Sequence, residues 1–443
     1  MVQQEVKLAH ALEKQNKLTI LPIRVAFLGA LPYGPIAYLD ETQYALWNEG
    51  EAFETIAAQI LAAMEKFAAL PHQAPADEEA RAEAVQNLFA ATDAIGAPLP
   101  QADPRLVPQL VLETGTMQLD SPFYIRRASD AAMQQQIHRV GDTTVVKGAR
   151  QMGKSSLLAR ALSIAQQNRQ QAVYFDLQFL EAGHLESLEK LLRYLSRKLS
   201  RVFKTTIKPE EFWDASLGAK DNLTDFLAEA ILAPADSPVL LFFDEIDRLF
   251  NYSYRDDFFA TLRGWHNLRA TSEPWRRFNL MIAHSTEPYL WIQDLNQSPF
   301  NVGQIIRLED FNLAEAAGLN AKHGAPLATT EEITQLLNFI GGQPFLLRQA
   351  FYMLAQNRWT LTQLQNAAIS ETGPFGDHLR RFVWRLQERP ELKNALREIL
   401  HKGRCDDETH FLRLKAAGLI NGENRQAVHM RCRLYEQYFK NHL

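Results

Sequence analysis

Cysteine is almost absent from this sequence: Cys405 and Cys432 are the only two in 443 residues. That excludes a disulfide framework and a cysteine-rich metal site, and a reducing cytoplasm is the expected setting. Long apolar runs are missing too. The most apolar window, Leu18 to Leu39, is broken by Arg24 and by Pro22, Pro32 and Pro35, so it is not read as a membrane helix and no membrane partner is expected. The first fifteen residues carry charges every few positions and lack the apolar centre of a secretory signal. Strong charge of one sign is lacking as well, with a formal net charge of −5, 22% charged residues and 46% apolar ones. Those are ordinary values for a soluble globular protein of two or three domains. Residues 1–120 hold 16 acidic and 7 basic side chains, which leaves 36 and 40 for the rest. So mild a basic excess, spread over more than three hundred residues, is only weak evidence for nucleic-acid binding.

What the sequence does contain is a phosphate-binding signature at its centre. A β-branched run from Thr143 leads into Gly148-Ala-Arg-Gln-Met-Gly153-Lys154-Ser155, and an apolar helical pattern follows at once. This is the G-x-x-x-x-G-K-S/T loop in its strand-to-helix setting. Its chemistry needs these residues: glycines let backbone N–H groups close around a phosphate, and the helix N-terminus adds partial positive charge. The expected contacts to ATP or ADP are Gly148, Gln151, Met152, Gly153, Lys154, Ser155 and Ser156. Lys154 is expected to neutralise the β- and γ-phosphates, and Ser155 to ligate Mg²⁺.

Two further apolar strands end in polar residues. Pro238-Val-Leu-Leu-Phe-Phe-Asp244-Glu245 brings an acidic pair to the sheet edge where open α/β folds bind ligands. Asp244 is expected to hold Mg²⁺ through water and Glu245 to polarise an attacking water. Phe278-Asn-Leu-Met-Ile-Ala-His-Ser285-Thr286 ends in two hydroxyl residues; in the P-loop ATPases that this order of motifs resembles, such a strand carries a polar residue that senses the γ-phosphate, which makes Ser285 or Thr286 the candidate. Strands also read at 18–25 and 172–177. Helices read at 2–15, 51–67, 77–92, about 185–203 and up to 232, and a largely parallel sheet follows from the alternation. Beyond Asp310 the pattern turns helical. The end of the chain reads as helix 391–401, helix 410–417, hairpin 419–429 and helix 431–441, the outline of a winged helix.

At the front, "EVKLA", "LTILPIRV" and "LPYGPIAYLDETQYALW" resemble the second half of a bacterial TIR domain. In TIR domains that cleave NAD, a catalytic glutamate lies on the helix before this strand, and Glu5 matches that position. The resemblance covers about the first 67 residues and only half of such a domain, so NAD hydrolysis is not expected of this chain. An Ala- and Pro-rich linker with one helix is expected over 68–120.

From about Ser121 to the C-terminus the sequence resembles the AAA-like ATPase domain fused to TIR modules in bacteria, within the STAND class. Besides the two nucleotide motifs, Phe123-Tyr-Ile-Arg-Arg127, "DFFATLRGWHNLR", "STEPYL", "SPFNVG" and Gly341-Gly-Gln-Pro344-Phe-Leu-Leu are similar to segments of that family. The resemblance implies that Arg127 borders the nucleotide, that Pro344 touches the adenine and that His429 senses the β-phosphate. It implies an α/β fold: a P-loop core at 121–310, a helical lid at 311–375 and a winged helix at 376–443, preceded by a TIR-like fragment at 1–67. It also implies a slowly hydrolysing ATPase that acts as a signalling or defence switch, closed with ADP and opened by ATP for self-association or a protein partner. Two alternatives stand beside it. One is a DNA-associated ATPase whose winged-helix arginines, Arg380, Arg381, Arg385, Arg389, Arg397, Arg404 and Arg413, touch phosphates. The other is an NAD-cleaving enzyme regulated by ATP.

Overall fold

The computed structural model describes residues 23–25, 45–47, 99–113, 115–285 and 298–443. The chain divides into two compact units, Met1–Phe89 and Ala90–Leu443. In the first, β1 (Ile23–Val25) and β2 (Ala45–Trp47) pair in parallel, with Ile23 opposite Ala45. Glu5, Thr286 and the helices expected at 2–15, 51–67 and 77–92 lie outside the described residues.

The second unit is built on five parallel strands. In chain order they are β3 (Thr143–Lys147), β4 (Gln171–Asp176), β5 (Val239–Asp244), β6 (Phe278–His284) and β7 (Gln304–Arg307), and in space the order is β4-β5-β6-β3-β7. All six residues of β5 and all seven of β6 are buried, as expected of central strands covered on both faces. Their side chains divide by the two-residue period. Leu241, Phe243, Leu280 and Ile282 enter the core shared with α3 (Leu188–Phe203), α4 (Ala219–Leu227) and α5 (Arg255–Thr271). Leu240, Phe242, Met281 and Ala283 enter the core with α1 (Ala128–His138) and α2 (Lys154–Gln167).

Two details differ from the sequence expectations. Helix α3 begins at Leu188 rather than near Leu185, because 182–185 forms a separate 3₁₀ turn and the Ser187 hydroxyl caps α3 by accepting from the Lys190 N–H. The edge strand β7 was not expected. Three of its four residues are exposed, so it carries no apolar run. Gly303 admits it: φ is +72°, and a Cβ there would stand 1.9 Å from the Thr143 carbonyl oxygen on the neighbouring strand.

Beyond β7 the chain is helical except for one hairpin. Helices α6 (Leu313–Lys322), α7 (Thr330–Ile340), α8 (Pro344–Asn357), α9 (Leu361–Ala368), α10 (Gly376–Gln387), α11 (Pro390–Lys402) and α12 (Glu408–Ala416) precede β8 (Ile420–Asn424) and β9 (Ala427–Met430). Helix α13 (Arg433–His442) closes the chain. Residues from Phe311 to Phe439 share a single apolar cluster, in which Phe351, Phe375, Leu396, Tyr435 and Phe439 are fully or nearly fully buried.

The chain before α1 forms a strap across this unit. On one side the Val111 carbonyl accepts from Arg348 at 2.5 Å and the Pro122 carbonyl accepts from Lys322 at 2.5 Å, while Arg348 lies over the Phe123 ring. On the other side the Met117 N–H donates to the Ser156 hydroxyl at 3.0 Å, and Arg160 donates to the Gln118 carbonyl at 2.8 Å and lies over the Tyr124 ring. No helix among the described residues is long and apolar enough to cross a membrane.

Candidate nucleotide site

Parallel register brings the ends of β3, β5 and β6 to one edge of the sheet, with Lys147 opposite His284 and Phe243 opposite Ile282. The loop after β3 forms a shallow bowl. Gln151 and Gly153 both have left-handed backbone, φ +64° and +92°, a conformation that turns successive N–H groups inward as an anion nest. Gly153 also caps the 14-residue α2, and a Cβ on it would stand 3.3 Å from the Arg127 guanidinium. Gly148 is needed for close approach, since its Cβ would lie 3.0 Å from Leu308 Cβ.

Lys154 is buried and folds back into the bowl, with Nζ donating to the Gly148 carbonyl at 3.0 Å and the Ala149 carbonyl at 3.1 Å. Burial holds its ammonium below the ordinary lysine range, opposed by the carboxylates of Asp247, Glu245 and Asp244. Ser155 is half-buried in the first turn of α2. The Ser156 hydroxyl is taken by the strap rather than turned to the bowl, and Met152, almost fully buried, serves as an anchor for its neighbours.

The acidic pair is held in place. Asp244 accepts from the Tyr174 hydroxyl at 2.5 Å and from the Glu245 N–H at 2.9 Å. Burial and the facing Asp244 carboxylate push the Tyr174 hydroxyl well above its usual range, so it remains a donor. Glu245 has φ +52°, and burial raises its carboxyl, with Lys154 opposing and Asp244 reinforcing the rise. The acid that sequence reading missed is Asp247. It leads the carboxylates acting on Lys154, and it accepts from the Ser285 N–H at 2.8 Å and hydroxyl at 3.0 Å. The signal was present in the spacing of Asp244-Glu245-Ile-Asp247, where a 3₁₀ turn returns position 247 toward the sheet edge. Ser285 is therefore at the edge, buried and oriented by Asp247.

Three separate elements reach the loop. Arg127, at the N-cap of α1, donates to the Met152 carbonyl at 3.0 Å. From the Gly-Gly-Gln-Pro turn, Pro344 opens α8, and the side chain beside it makes the contact: Gln343 Nε2 donates to the Arg150 carbonyl at 2.9 Å. Gln343 Oε1 accepts from Tyr435 at 3.3 Å, and the Tyr435 hydroxyl lies 2.6 Å from His378 Nε2, so one buried chain of hydrogen bonds runs from the loop to α10 and α13. From the hairpin comes Arg431, paired with Asp310 and 3.3 Å from Met152 Sδ. His429 does not make this contact. Val428 and Met430 point inward on β9, which leaves His429 exposed against a cavity of about 380 Å³ lined by Asn338, Ile399 and Gly403. Gln343 and Arg431 escaped the sequence reading because only tertiary approach brings them to the loop.

The arrangement has the parts of a phosphate site: an amide nest, a buried lysine bonded to two loop carbonyls, a half-buried hydroxyl and three carboxylates. The profile of the AAA-like domain family matches residues 112–441. An uncharacterised WD repeat-containing protein of Synechocystis sp. is 30% identical over 335 residues, which covers 69% of this chain and 28% of that protein. The chain thus spans little more than a quarter of that relative's length. Among solved structures, a Walker-type ATPase of Pyrococcus abyssi superposes with a TM-score of 0.48 at 16% identity, covering 74% of this chain and 98% of that one. The Aeropyrum pernix ORC2 protein, solved in ADPNP–ADP complexes, gives 0.42 at 11% identity, covering 76% and 97%. Since the family match runs from the strap before α1 to the last helix, the chain belongs to the AAA-like domain family.

Proposed function

We propose that this chain is a nucleotide-dependent switch of the STAND class. In this reading the core at 121–310 binds ATP or ADP with Mg²⁺ and hydrolyses ATP slowly. The lid at 311–375 and a winged helix at 376–443 change their contacts with nucleotide state and so govern self-association or a protein partner. The linker at 68–120 joins them to a TIR-type module at 1–67, in bacterial signalling or defence. The observation that carries the reading is that one loop is touched at the same time by Arg127, Gln343 and Arg431. A phosphate entering the bowl displaces Lys154 from two loop carbonyls, and any shift of the loop is felt by all three elements.

Mg²⁺ would be held by the Ser155 hydroxyl and, through water, by Asp244, and it supplies charge neutralisation for the β- and γ-phosphates. Tyr174 holds the carboxylate of Asp244 by donating to it at 2.5 Å, which would spare Asp244 a rearrangement when the ion binds. Glu245 lies within electrostatic reach of Lys154 and would be the group that orients a water. Removing Lys154 deletes a charge-assisted contact, so Lys154→Ala is expected to weaken ADP and ATP binding about 10- to 100-fold in calorimetry. Equal affinity in wild type and variant would overturn the reading.

One observation favours a nucleic-acid reading as second choice. Trp384 is 62% exposed on α10, a helical turn from the exposed Arg381, and such a pair suits base stacking beside a phosphate. Fluorescence anisotropy with labelled duplex and single-stranded DNA at two salt concentrations decides it. DNA contact predicts salt-sensitive binding that Trp384→Ala reduces; no binding at low salt eliminates this reading.

A further inference from the structure

The mild basic excess beyond residue 120 is not evenly spread. From Lys190 to Lys208, nineteen residues hold seven basic side chains and no acidic one. Most of this stretch is α3, on the face of the sheet opposite α1 and α2. Leu191, Leu192, Leu195 and Leu199 commit the inner side of the helix to the core. Lys190, Arg193, Arg197 and Arg201 follow at three- and four-residue steps, which keeps them within about a quarter of the helix circumference on the other side. Lys204, the C-cap, continues the row, which is about 21 Å long at 1.5 Å per residue.

Local pairing accounts for the first half of the row. Lys190 pairs with Glu186, Arg193 with Glu189 at 2.8 Å and Arg197 with Glu210 at 2.5 Å. These pairs stand in water, where one anion replaces another at little cost. The second half has no such partners: Arg201, Lys204 and Lys208 are exposed and, among the described residues, form no ion pair. A helix C-terminus favours cations, which suits Arg201 and Lys204. It does not account for Lys208, which lies beyond the helix, or for Arg193, Arg197 and Arg201, like charges at successive four-residue steps that an isolated helix disfavours. The repeat is kept in a chain whose net charge is −5.

A row of this kind fits a polyanion of regular charge. One strand of a duplex presents a phosphate about every 3.4 Å of axis, so a row of about 21 Å faces about six of them. An anionic membrane fits less well, since an interfacial helix lays its apolar face in the bilayer and that face of α3 is buried in the core. We infer that the exposed side of α3 binds the phosphate backbone of duplex nucleic acid, without reading its sequence. The surface uses no residue of the phosphate bowl and none of α10, so it stands apart from both readings above.

Fluorescence anisotropy on the full chain tests this with labelled duplex DNA of two unrelated sequences between about 50 and 200 mM salt. Co-sedimentation with phosphatidylserine vesicles covers the competing surface. Wild type is expected to bind the two duplexes within about twofold of each other, with an affinity that falls steeply as salt rises. The double variant Arg201→Glu/Lys204→Glu, at two exposed and unpaired positions, is expected to bind at least about tenfold more weakly and with a log–log salt slope shallower by about two. Glu210→Gln releases Arg197 and tightens binding about twofold, a gain that a loss of folding could not produce. No duplex binding at about 50 mM salt overturns the inference, as does wild-type affinity in the double variant; a loss in Trp384→Ala alone places the contact on α10 instead. Vesicle binding without duplex binding also overturns it and assigns the row to an anionic membrane.

Discussion

Glu245 combines two costs in one residue. Its backbone is left-handed at φ +52°, a region that non-glycine residues enter at a cost of order 1–3 kcal/mol when the surroundings impose it. Its carboxyl is also buried enough to be raised above the ordinary range. A folded-state pKa above the unfolded one means that the folded chain binds the proton more tightly. Stability from this group is therefore present at low pH and is lost as pH rises through the folded pKa. Glu245→Gln keeps the shape and removes the charge. The ligand-free variant is expected to melt above wild type at pH 7 and to match it below about pH 4, where an unfolded glutamate is protonated too. Melting curves across pH check this, and a variant less stable than wild type at pH 7 would show that pairing with Lys154 outweighs burial. In the proposed function the same variant binds ATP without hydrolysing it. At this scale Gly148, Lys154, Asp244 and Glu245 were legible because motif spacing along the chain is enough to bring them together. Arg431 was not, because its relation to Met152 spans 279 residues and is created by packing.

Among elements, the strands show what an apolar pattern can reveal. Strands β5 and β6 are continuous apolar runs and were read directly, whereas β7, with one buried residue, takes its structure from the neighbour that Gly303 lets it approach. The terminal helices were legible from their periodicity, and capping residues fix where others begin: Asn312 with Glu315 for α6, Thr329 with Glu332 for α7 and Thr360 with Gln363 for α9. The hydrogen-bonded chain Arg150–Gln343–Tyr435–His378 could not be read, since it joins four segments that the sequence keeps far apart. Burial holds His378 down to about 4, so near neutral pH its uncharged ring pairs with the Tyr435 hydroxyl. Tyr435→Phe keeps the ring packing and leaves Gln343 Oε1 and His378 Nε2 without their shared partner. The expected loss is about 1–3 kcal/mol, read as a lower denaturant midpoint with unchanged slope. A midpoint equal to wild type would mean that the chain of bonds contributes nothing net.

For the molecule as a whole, the α/β class, the parallel sheet and the helical second half followed from the alternation of apolar runs and helical periods. The way the halves are fastened did not. Contacts such as Gln343 on the loop, Arg431 on Asp310 and the strap on both sides depend on side chains meeting across folded surfaces, and no local pattern encodes them. The strap has a mechanical consequence. Because it is stitched to α2 on one side and to α6 and α8 on the other, the two sides cannot part without one row of stitches giving way. The rows are unequal. Toward α8 the fastener is Arg348, only 7% exposed, whereas toward α2 it is a neutral hydroxyl and an arginine whose bond to Gln118 is exposed to water. Shielded charge-assisted bonds outlast exposed ones, so the strap tears from α2 first. The first stitch there is Ser156, next in the chain to Ser155, which makes the seam most ready to open the one sewn closest to the phosphate bowl.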